Sequence, residues 1–243
     1  HPSYDIPEDQ CLDNLYKEVL ASTKKRQATV IALPDQIHYE AVMEALKNDQ
    51  HVLCVKPLVL KYEQAAEVEK VAKQKGLFIG IEYHKRFDPR ALMAKQSYEN
   101  GEFGEFKIGE AKMIEPYFYR DSNFMNWFTT DQTDPFVYVS CHYIDQVAFI
   151  TGLKPVEVSV SGIKDKFPNG NEAYMWTNGR VKYENGSLLS VISGLGYPDL
   201  GAGSNEQCIT MFCEGEGKSS MIKHDDQRPD VRHCYLEGIG PGG

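Results

Sequence analysis

Three short apolar runs, separated by segments of helical periodicity, constrain the fold of this chain most strongly. The runs are Ala28 to Leu33, His51 to Val55 and Leu77 to Ile81. Short, nearly continuous apolar runs are typical of strands that are buried on both faces of a parallel sheet. The segments between them exceed the roughly one dozen residues that a parallel crossover requires. We therefore predict three parallel strands with right-handed connections.

The segments beside these runs have the periodicity of amphipathic helices. From Asp9 to about Arg26, apolar residues recur at helical spacing with charged residues on the other face. His38 to Lys47 and Tyr62 to Lys75 follow the same pattern, and Gly76 stands where helices commonly end. Alternation of helix and strand in this order predicts half of a doubly wound parallel sheet, with helices on its faces.

The pattern changes between about residues 82 and 90, where a second unit is predicted to begin. One further helix extends to about Glu99, a strand covers about Phe106 to Met113, and Val137 to Ile150 can form a helix that ends at Gly152. The predicted fold class is accordingly α/β, with a partial doubly wound parallel sheet in residues 1–85, followed by an α+β domain in residues 86–243.

Turn signals divide the rest of the second unit into short strands. Asn178-Gly179, Asn185-Gly186 and the segment Glu214 to Gly217 separate apolar runs, and Asn-Gly between such runs is a strong hairpin signal. We therefore predict an open, mostly antiparallel sheet over about Lys107 to Lys223.

Charge and cysteine content exclude several classes of function. The chain has 35 acidic against 26 basic residues, a formal charge of −9, which disfavours nucleic acid and anionic membrane surfaces as partners. No apolar run approaches the roughly 18 residues that span a bilayer, and residues 1–10 lack the pattern of a secretory signal, so we expect a cytoplasmic protein. The six cysteines form no C-x-x-C pair, so neither a metal site nor a disulfide framework is predicted.

Candidate binding residues follow the three predicted strands. Ligands of doubly wound sheets gather at the carboxyl ends of the strands. Lys56 stands at such an end, where its amine could hydrogen-bond a hydroxyl or carbonyl oxygen and stabilise developing negative charge. A solvated lysine before a turn is the alternative. His38 and Asp35 follow the first strand, where a histidine could instead cap or pack and an aspartate could simply favour a helix N-terminus.

His142 is the candidate acid/base residue of the second unit. It stands four residues after Tyr138 and three before Asp145, so the three side chains can share one face of a helix. An imidazole there could take a proton from an alcohol, oriented by Asp145 or a backbone group. A core histidine with a satisfied hydrogen bond is the alternative. The aromatic segment from Tyr117 to Trp127 could line a sugar-sized pocket or serve only in packing.

Four segments together resemble the Gfo/Idh/MocA family of nicotinamide-dependent oxidoreductases. They occur in family order and cover most of the chain: Val30 to Pro57, Gly80 to Arg90, Ser140 to Gly152 and Met211 to Ile222. The resemblance implies a Rossmann domain that binds NAD or NADP and a second domain whose open sheet supports the substrate site and often an oligomer interface. It also implies a sugar, polyol or related hydroxy compound as substrate, and a homodimer or homotetramer.

The resemblance also implies roles for individual residues. Lys56 would contact cofactor and substrate, His142 would be the acid/base, and Tyr138 could hydrogen-bond a substrate oxygen. The remaining residues expected near the cofactor are Leu33, Pro34, Asp35, His38, Pro57, Glu82 and Arg86.

Two departures from the family pattern leave a second hypothesis open. Val55 replaces the family glutamate before the lysine, and Tyr138 replaces the aspartate that usually stands four residues before the histidine. We also expect the family's first strand and glycine-rich turn to lie outside this chain, or to have been lost. A non-catalytic sensor or scaffold on the same fold is therefore the alternative to an enzyme, and a shortened chain that folds poorly is a third.

Overall fold

A computed structural model of the protein describes residues 15–200, 204–226 and 236–237. The chain divides into two compact units, His1–Glu82 and Tyr83–Gly243. Cys11, Cys234 and the predicted start of the first helix at Asp9 lie outside the described residues. Among the residues that are described, every helix is too short or too polar to cross a membrane.

The first unit alternates helices with three parallel strands, as predicted. The strands pair in sequence order, with Val30 opposite Leu53 and Leu53 opposite Gly80. Gly76 ends the third helix in the left-handed conformation, with φ +61°. The elements are α1 (Leu15–Ser22), β1 (Ala28–Ile31), α2 (His38–Lys47), β2 (His51–Val55), α3 (Tyr62–Lys75) and β3 (Ile79–Glu82).

One prediction for these strands is wrong, because only one face of the sheet is buried. Ile31, Val52 and Cys54 pack into the core with α2 and α3. Val30 and Phe78 on the other face are 66% and 62% exposed. Right-handed crossovers between strands that pair in sequence order place their connecting helices on the same face. The strands β1 to β3 are apolar on both faces, but the helices that connect them can cover only one face.

The second unit contains two further helices and a seven-stranded sheet. The elements are α4 (Pro89–Glu99), β4 (Glu105–Pro116), α5 (Cys141–Thr151), β5 (Pro155–Lys166), β6 (Glu172–Tyr183), β7 (Leu188–Tyr197), β8 (Glu206–Gly215), β9 (Lys218–Asp225) and β10 (Leu236–Glu237). The strand order is β10-β9-β8-β4-β7-β6-β5. The prediction of a mostly antiparallel sheet is confirmed, since β4 and β7 are the only parallel pair among the described strands of this sheet.

The core of this unit lies between one face of the sheet and α4 with α5. Tyr143 and Val147 of α5 pack against Phe106, Leu189 and Met211 of the strands, all of them shielded from solvent. The opposite face of the sheet exposes apolar side chains of three central strands, Ile108, Ile192 and Phe212.

The predicted turn at Asn178-Gly179 is wrong, because both residues lie inside β6. Gly179 faces the ring of Phe136, and a Cβ atom there would lie 2.2 Å from its Cε2 atom. The glycine therefore makes room for an aromatic ring and does not mark a turn. The predicted turn at Asn185-Gly186 is confirmed between paired strands, with Gly186 at φ +88°. Of the predicted turn segment Glu214 to Gly217, only Glu216-Gly217 forms the turn, since Glu214 and Gly215 belong to β8.

Candidate functional site

The carboxyl edge of the first sheet brings together seven of the predicted site residues. Because the three strands run parallel, the turns after β1 and β2 and the end of β3 share one edge. Lys56 is half-buried at this edge. The other six are Leu33, Pro34, Asp35, His38, Pro57 and Glu82.

His38 contacts the turn after β1 and the turn after β2. Its ring is fully buried, with Nδ1 2.7 Å from the carbonyl oxygen of Pro57 and Nε2 2.7 Å from the carbonyl oxygen of Leu33. Both ring nitrogens are thus engaged by backbone of the first unit. The ring therefore holds the residue after Lys56 against the turn that follows β1.

The edge residues fit the chemistry of a nicotinamide nucleotide. Leu33 is 38% exposed and offers an apolar surface for a flat ring, while the Lys56 amine can donate to a polar oxygen. Asp35 is only 2% exposed, in the single turn of 3-10 helix that leads into α2. The direct cofactor contacts predicted for Asp35 and His38 remain predictions.

His142 lies in the second unit, at the second position of α5, with only 3% of its surface exposed. Its ring packs against two rings from the segment that opens this unit. The His84 ring centroid is 4.5 Å away at an interplanar angle of 59°, and the Tyr83 centroid is 6.0 Å away, edge to face. Burial raises the pKa of Tyr83 well above its ordinary value, so this phenol remains protonated.

Arg86 and Asp145 form a two-point ion pair beside this ring cluster. Arg86 Nε lies 2.7 Å from Oδ2 of Asp145, and Nη2 lies 2.5 Å from Oδ1. The Arg86 guanidinium also lies over the Phe149 ring, 5.3 Å from its centroid. Asp145 thus anchors Arg86, and the rings of Tyr83 and His84 contact His142. The cofactor contact predicted for Arg86 remains a prediction.

The segment before His142 differs from the predicted α-helix, because Phe136–Ser140 forms a π-helix that continues into α5. The Ser140 hydroxyl donates to Ser193 Oγ at 2.7 Å, and Thr177 Oγ1 lies 2.7 Å from the same oxygen. These buried hydroxyls tie the π-helix to β6 and β7. Helical periodicity in the sequence does not distinguish this π-helical turn from an α-helix. Single π-helical turns are frequent at functional sites.

Tyr138, within the π-helix, packs into an aromatic cluster. Its ring centroid is 5.5 Å from those of Phe124 and Trp127 and 5.8 Å from that of Phe128. Phe124, Trp127 and Phe128 thus pack on Tyr138, while the sugar-sized pocket proposed for the aromatic segment remains a prediction. A substrate contact by Tyr138 remains a prediction.

A buried charged network that the sequence did not suggest lies elsewhere in the second unit. Lys85 is 5% exposed and pairs with Asp226, which also accepts a hydrogen bond from His224. Arg90 pairs with both Asp88 and Asp226. Ligand atoms of Asp88, His224 and Asp226 lie within 4.8 Å of one another, as metal ligands would. Because Lys85 and Arg90 already balance the two carboxylates, the network needs no cation for charge neutrality.

Comparison with known proteins finds two family models that match successive parts of the chain. Residues 3–83 match the oxidoreductase family with an NAD-binding Rossmann fold, and residues 91–212 match the GFO/IDH/MocA C-terminal domain.

Individual relatives are similar over part of their length. An uncharacterized oxidoreductase of Schizosaccharomyces pombe is 35% identical over 130 residues, covering 52% of this chain and 34% of that protein. Inositol 2-dehydrogenase of Rubrobacter xylanophilus is 26% identical over 185 residues, covering 73% of this chain and 50% of that protein. The matched part therefore spans half or less of these relatives.

The fold is also similar to that of a solved enzyme. The WlbA dehydrogenase from Bordetella pertussis, crystallised with NADH and UDP-GlcNAcA, superposes with a TM-score of 0.74 at 19% identity. The alignment covers 93% of this chain and 67% of that one. Both family models and this fold agree with the two units described above, and the chain belongs to the GFO/IDH/MocA family of oxidoreductases, whose first domain is an NAD-binding Rossmann fold.

Proposed function

We propose that this protein is an oxidoreductase that transfers a hydride between NAD or NADP and a sugar, polyol or related hydroxy compound. The observation that carries the proposal is the position of Lys56, at the carboxyl edge of a parallel sheet within the region that matches an NAD-binding Rossmann fold. The bound nicotinamide supplies the hydride acceptor or donor. Leu33, Pro34, Asp35, His38, Pro57, Glu82 and Arg86 are the residues proposed to support its binding.

Lys56 would act on the substrate oxygen. Its ammonium group donates a hydrogen bond, and its charge stabilises the negative charge that develops on this oxygen when the hydroxyl proton leaves. The contact of His38 with the Pro57 carbonyl fixes the backbone one residue away, which limits the positions open to the amine. A positioned donor of this kind costs little reorganisation during the reaction.

His142 would move the hydroxyl proton. An imidazole ordinarily titrates near neutral pH, so it can take a proton in the oxidation and return it in the reduction. Tyr83 beside it is a poor substitute, since burial raises the pKa of this phenol well above its ordinary value. Tyr138 would add a hydrogen bond to the substrate.

The substrate class is supported by the relatives. One is an inositol 2-dehydrogenase, and a dehydrogenase of similar fold was crystallised with a UDP-linked sugar derivative. Inositol and sugars both carry several hydroxyl groups on a ring. A substrate of that chemistry suits one amine donor and one imidazole acceptor.

Incubation of the protein with NAD or NADP and a panel of polyols and sugars tests the proposal. We expect steady formation of reduced cofactor, followed by its absorbance, with at least one polyol. The absence of turnover with every compound, in a sample shown to be folded by circular dichroism, contradicts an enzymatic role.

A non-catalytic sensor or scaffold is the second candidate, favoured by two observations. Val55 stands where the family has a glutamate, and both oxygens of Asp145 are engaged by Arg86. This candidate predicts saturable binding of a sugar or nucleotide in calorimetry without reduction of the cofactor. Steady cofactor reduction rules it out.

The proposal includes a homodimer or homotetramer in the cytoplasm. The open sheet face exposes Ile108 by 52%, Phe212 by 46% and Ile192 by 39%, and Lys112 pairs with Glu206 beside them. Mixed apolar and charged faces of this kind are typical of subunit interfaces. Light scattering with Phe212→Glu tests the idea: we expect a smaller assembly than the wild type, whereas a wild-type monomer contradicts it.

A further inference from the structure

Two backbone carbonyl oxygens contact the ring nitrogens of His38. The side chain is completely shielded from solvent, at the start of α2. Nδ1 lies 2.7 Å from the carbonyl oxygen of Pro57, and Nε2 lies 2.7 Å from that of Leu33. Each ring nitrogen therefore faces an atom that can only accept a hydrogen bond.

A neutral imidazole cannot satisfy this arrangement. It has one N–H group and one nitrogen with a lone pair. In either neutral tautomer, a lone pair would point at a carbonyl oxygen 2.7 Å away, in a place without access to solvent. The doubly protonated ring donates to both oxygens, and 2.7 Å falls in the range of charge-assisted hydrogen bonds.

We propose that His38 is a buried imidazolium and that it acts as a positioning residue, joining the turn after β1 to the turn after β2 and so fixing the backbone beside Lys56. Its protonation state follows from the geometry of the first unit alone. Only its importance for catalysis rests on the proposed function.

Three ionisable groups lie on the elements around His38. Asp35, 2% exposed, stands three residues earlier in the same segment, and Lys56 directly precedes Pro57. Cys54 lies buried near the end of β2, where burial raises the pKa of its thiol to about 12 and keeps it neutral. The Asp35 carboxyl group favours a positive charge at His38 and the Lys56 amine opposes it, so the two carbonyl oxygens are the contacts that call for the second proton.

Long-range proton–nitrogen NMR of the ¹⁵N-labelled protein tests the charge directly. At about pH 8, above the ordinary histidine pKa of about 6.5, we expect both ring nitrogens of His38 to resonate as protonated nitrogens. A lone-pair resonance for either nitrogen at that pH overturns the proposal. The wild-type spectrum is sufficient, so this result requires no variant to fold.

His51 provides the internal control. Its Nδ1 accepts the backbone N–H of Phe78 at 2.8 Å, so that nitrogen must carry a lone pair. At the same pH we expect a lone-pair resonance for His51 Nδ1 beside two protonated nitrogens for His38. The measurement is made at the lowest pH at which the His51 lone pair is seen, and a lone-pair resonance for His38 at that pH overturns the proposal.

The positioning role is tested by His38→Gln, in which the side-chain amide has lost the positive charge. We expect the backbone amide resonances of Lys56 and Leu58 to shift, while Gln50→Ala, which removes another buried hydrogen-bonding side chain of the first unit, leaves them in place. Unchanged resonances in His38→Gln overturn the positioning role. If this variant does not fold, the wild type is titrated upward, and the same resonances must move with the loss of the second His38 proton.

These readouts separate the inference from the proposed function. An imidazolium at His38 in a protein without dehydrogenase activity contradicts the proposed function and supports the inference. An active protein with a neutral His38 supports the proposed function and contradicts the inference.

Discussion

The imidazole rings of His84 and His142 lie with their centroids 4.5 Å apart, and of the two only His84 is exposed to solvent. The contact places a second ionisable ring against the candidate acid/base residue. A positive charge on one ring would repel a positive charge on the other at this distance.

His84→Ala should remove the ring that packs on His142, whereas His84→Phe keeps an aromatic ring in its place. We expect the ring proton resonances of His142 to shift in His84→Ala, because an aromatic ring 4.5 Å away alters the local magnetic field, and to shift less in His84→Phe. His51→Ala is the matched control in the other unit. Unchanged His142 resonances in His84→Ala would contradict the ring contact.

Lys56→Ala and His142→Ala should each lower turnover by roughly tenfold or more, because one removes the donor to the substrate oxygen and the other removes the proton acceptor. Steady-state formation of reduced cofactor measures the effect. Lys61→Ala, which changes an exposed lysine just before α3, should keep wild-type turnover. Wild-type turnover in both active-site variants would refute the assigned roles.

Asp226 should make the second unit acid-sensitive. Burial alone would favour its neutral form, but the hydrogen bond from His224 and the charge of Lys85 hold the pKa of Asp226 well below its ordinary value. A lowered pKa in the folded state contributes stability above the unfolded value of about 3.9, and this stability is lost as the pH falls below it. Asp226→Asn should therefore cost about 3 kcal/mol at neutral pH, and the difference from wild type should shrink in acid.

Urea unfolding followed by tryptophan fluorescence measures this effect, since Trp127 and Trp176 both belong to the second unit. Asp165→Asn is the control, because that carboxylate is 65% exposed and lies 3.7 Å from its partner Arg120. A free-energy difference for Asp226→Asn that stays constant from neutral pH to acid would contradict the assignment.

Gly179→Ala should destabilise the second unit by about 1–3 kcal/mol, the usual cost of overpacking a core. The new methyl group would lie 2.2 Å from Cε2 of Phe136, in the π-helix that precedes His142. Unfolding by urea measures the loss, and Phe136→Leu in the same chain should recover part of it. An alanine variant as stable as wild type would show that the strand and the π-helix do not pack as described.

Much of the fold could be predicted because its signals are local. The bounds of α2 and α3 follow from helical periodicity, and Gly76 ends α3 because glycine adopts the left-handed conformation without a Cβ clash. The turn at Asn185-Gly186 follows for the same reason. By contrast, Asn178-Gly179 carries the same local signal within β6, because a ring distant in sequence occupies the space beside Gly179.

The candidate site likewise has features that follow from local sequence and features that depend on tertiary contacts. The sequence by itself determined that Lys56 follows a strand of a parallel sheet, since strand order and direction follow from apolar runs joined by long crossovers. It also determined a helix that carries His142 and Asp145. Only the tertiary structure decided that Asp145 pairs with Arg86, that His84 packs on His142, and that His38 faces two carbonyl oxygens. These contacts join residues that folding brings together from different segments, and periodicity carries information only about neighbours along the chain.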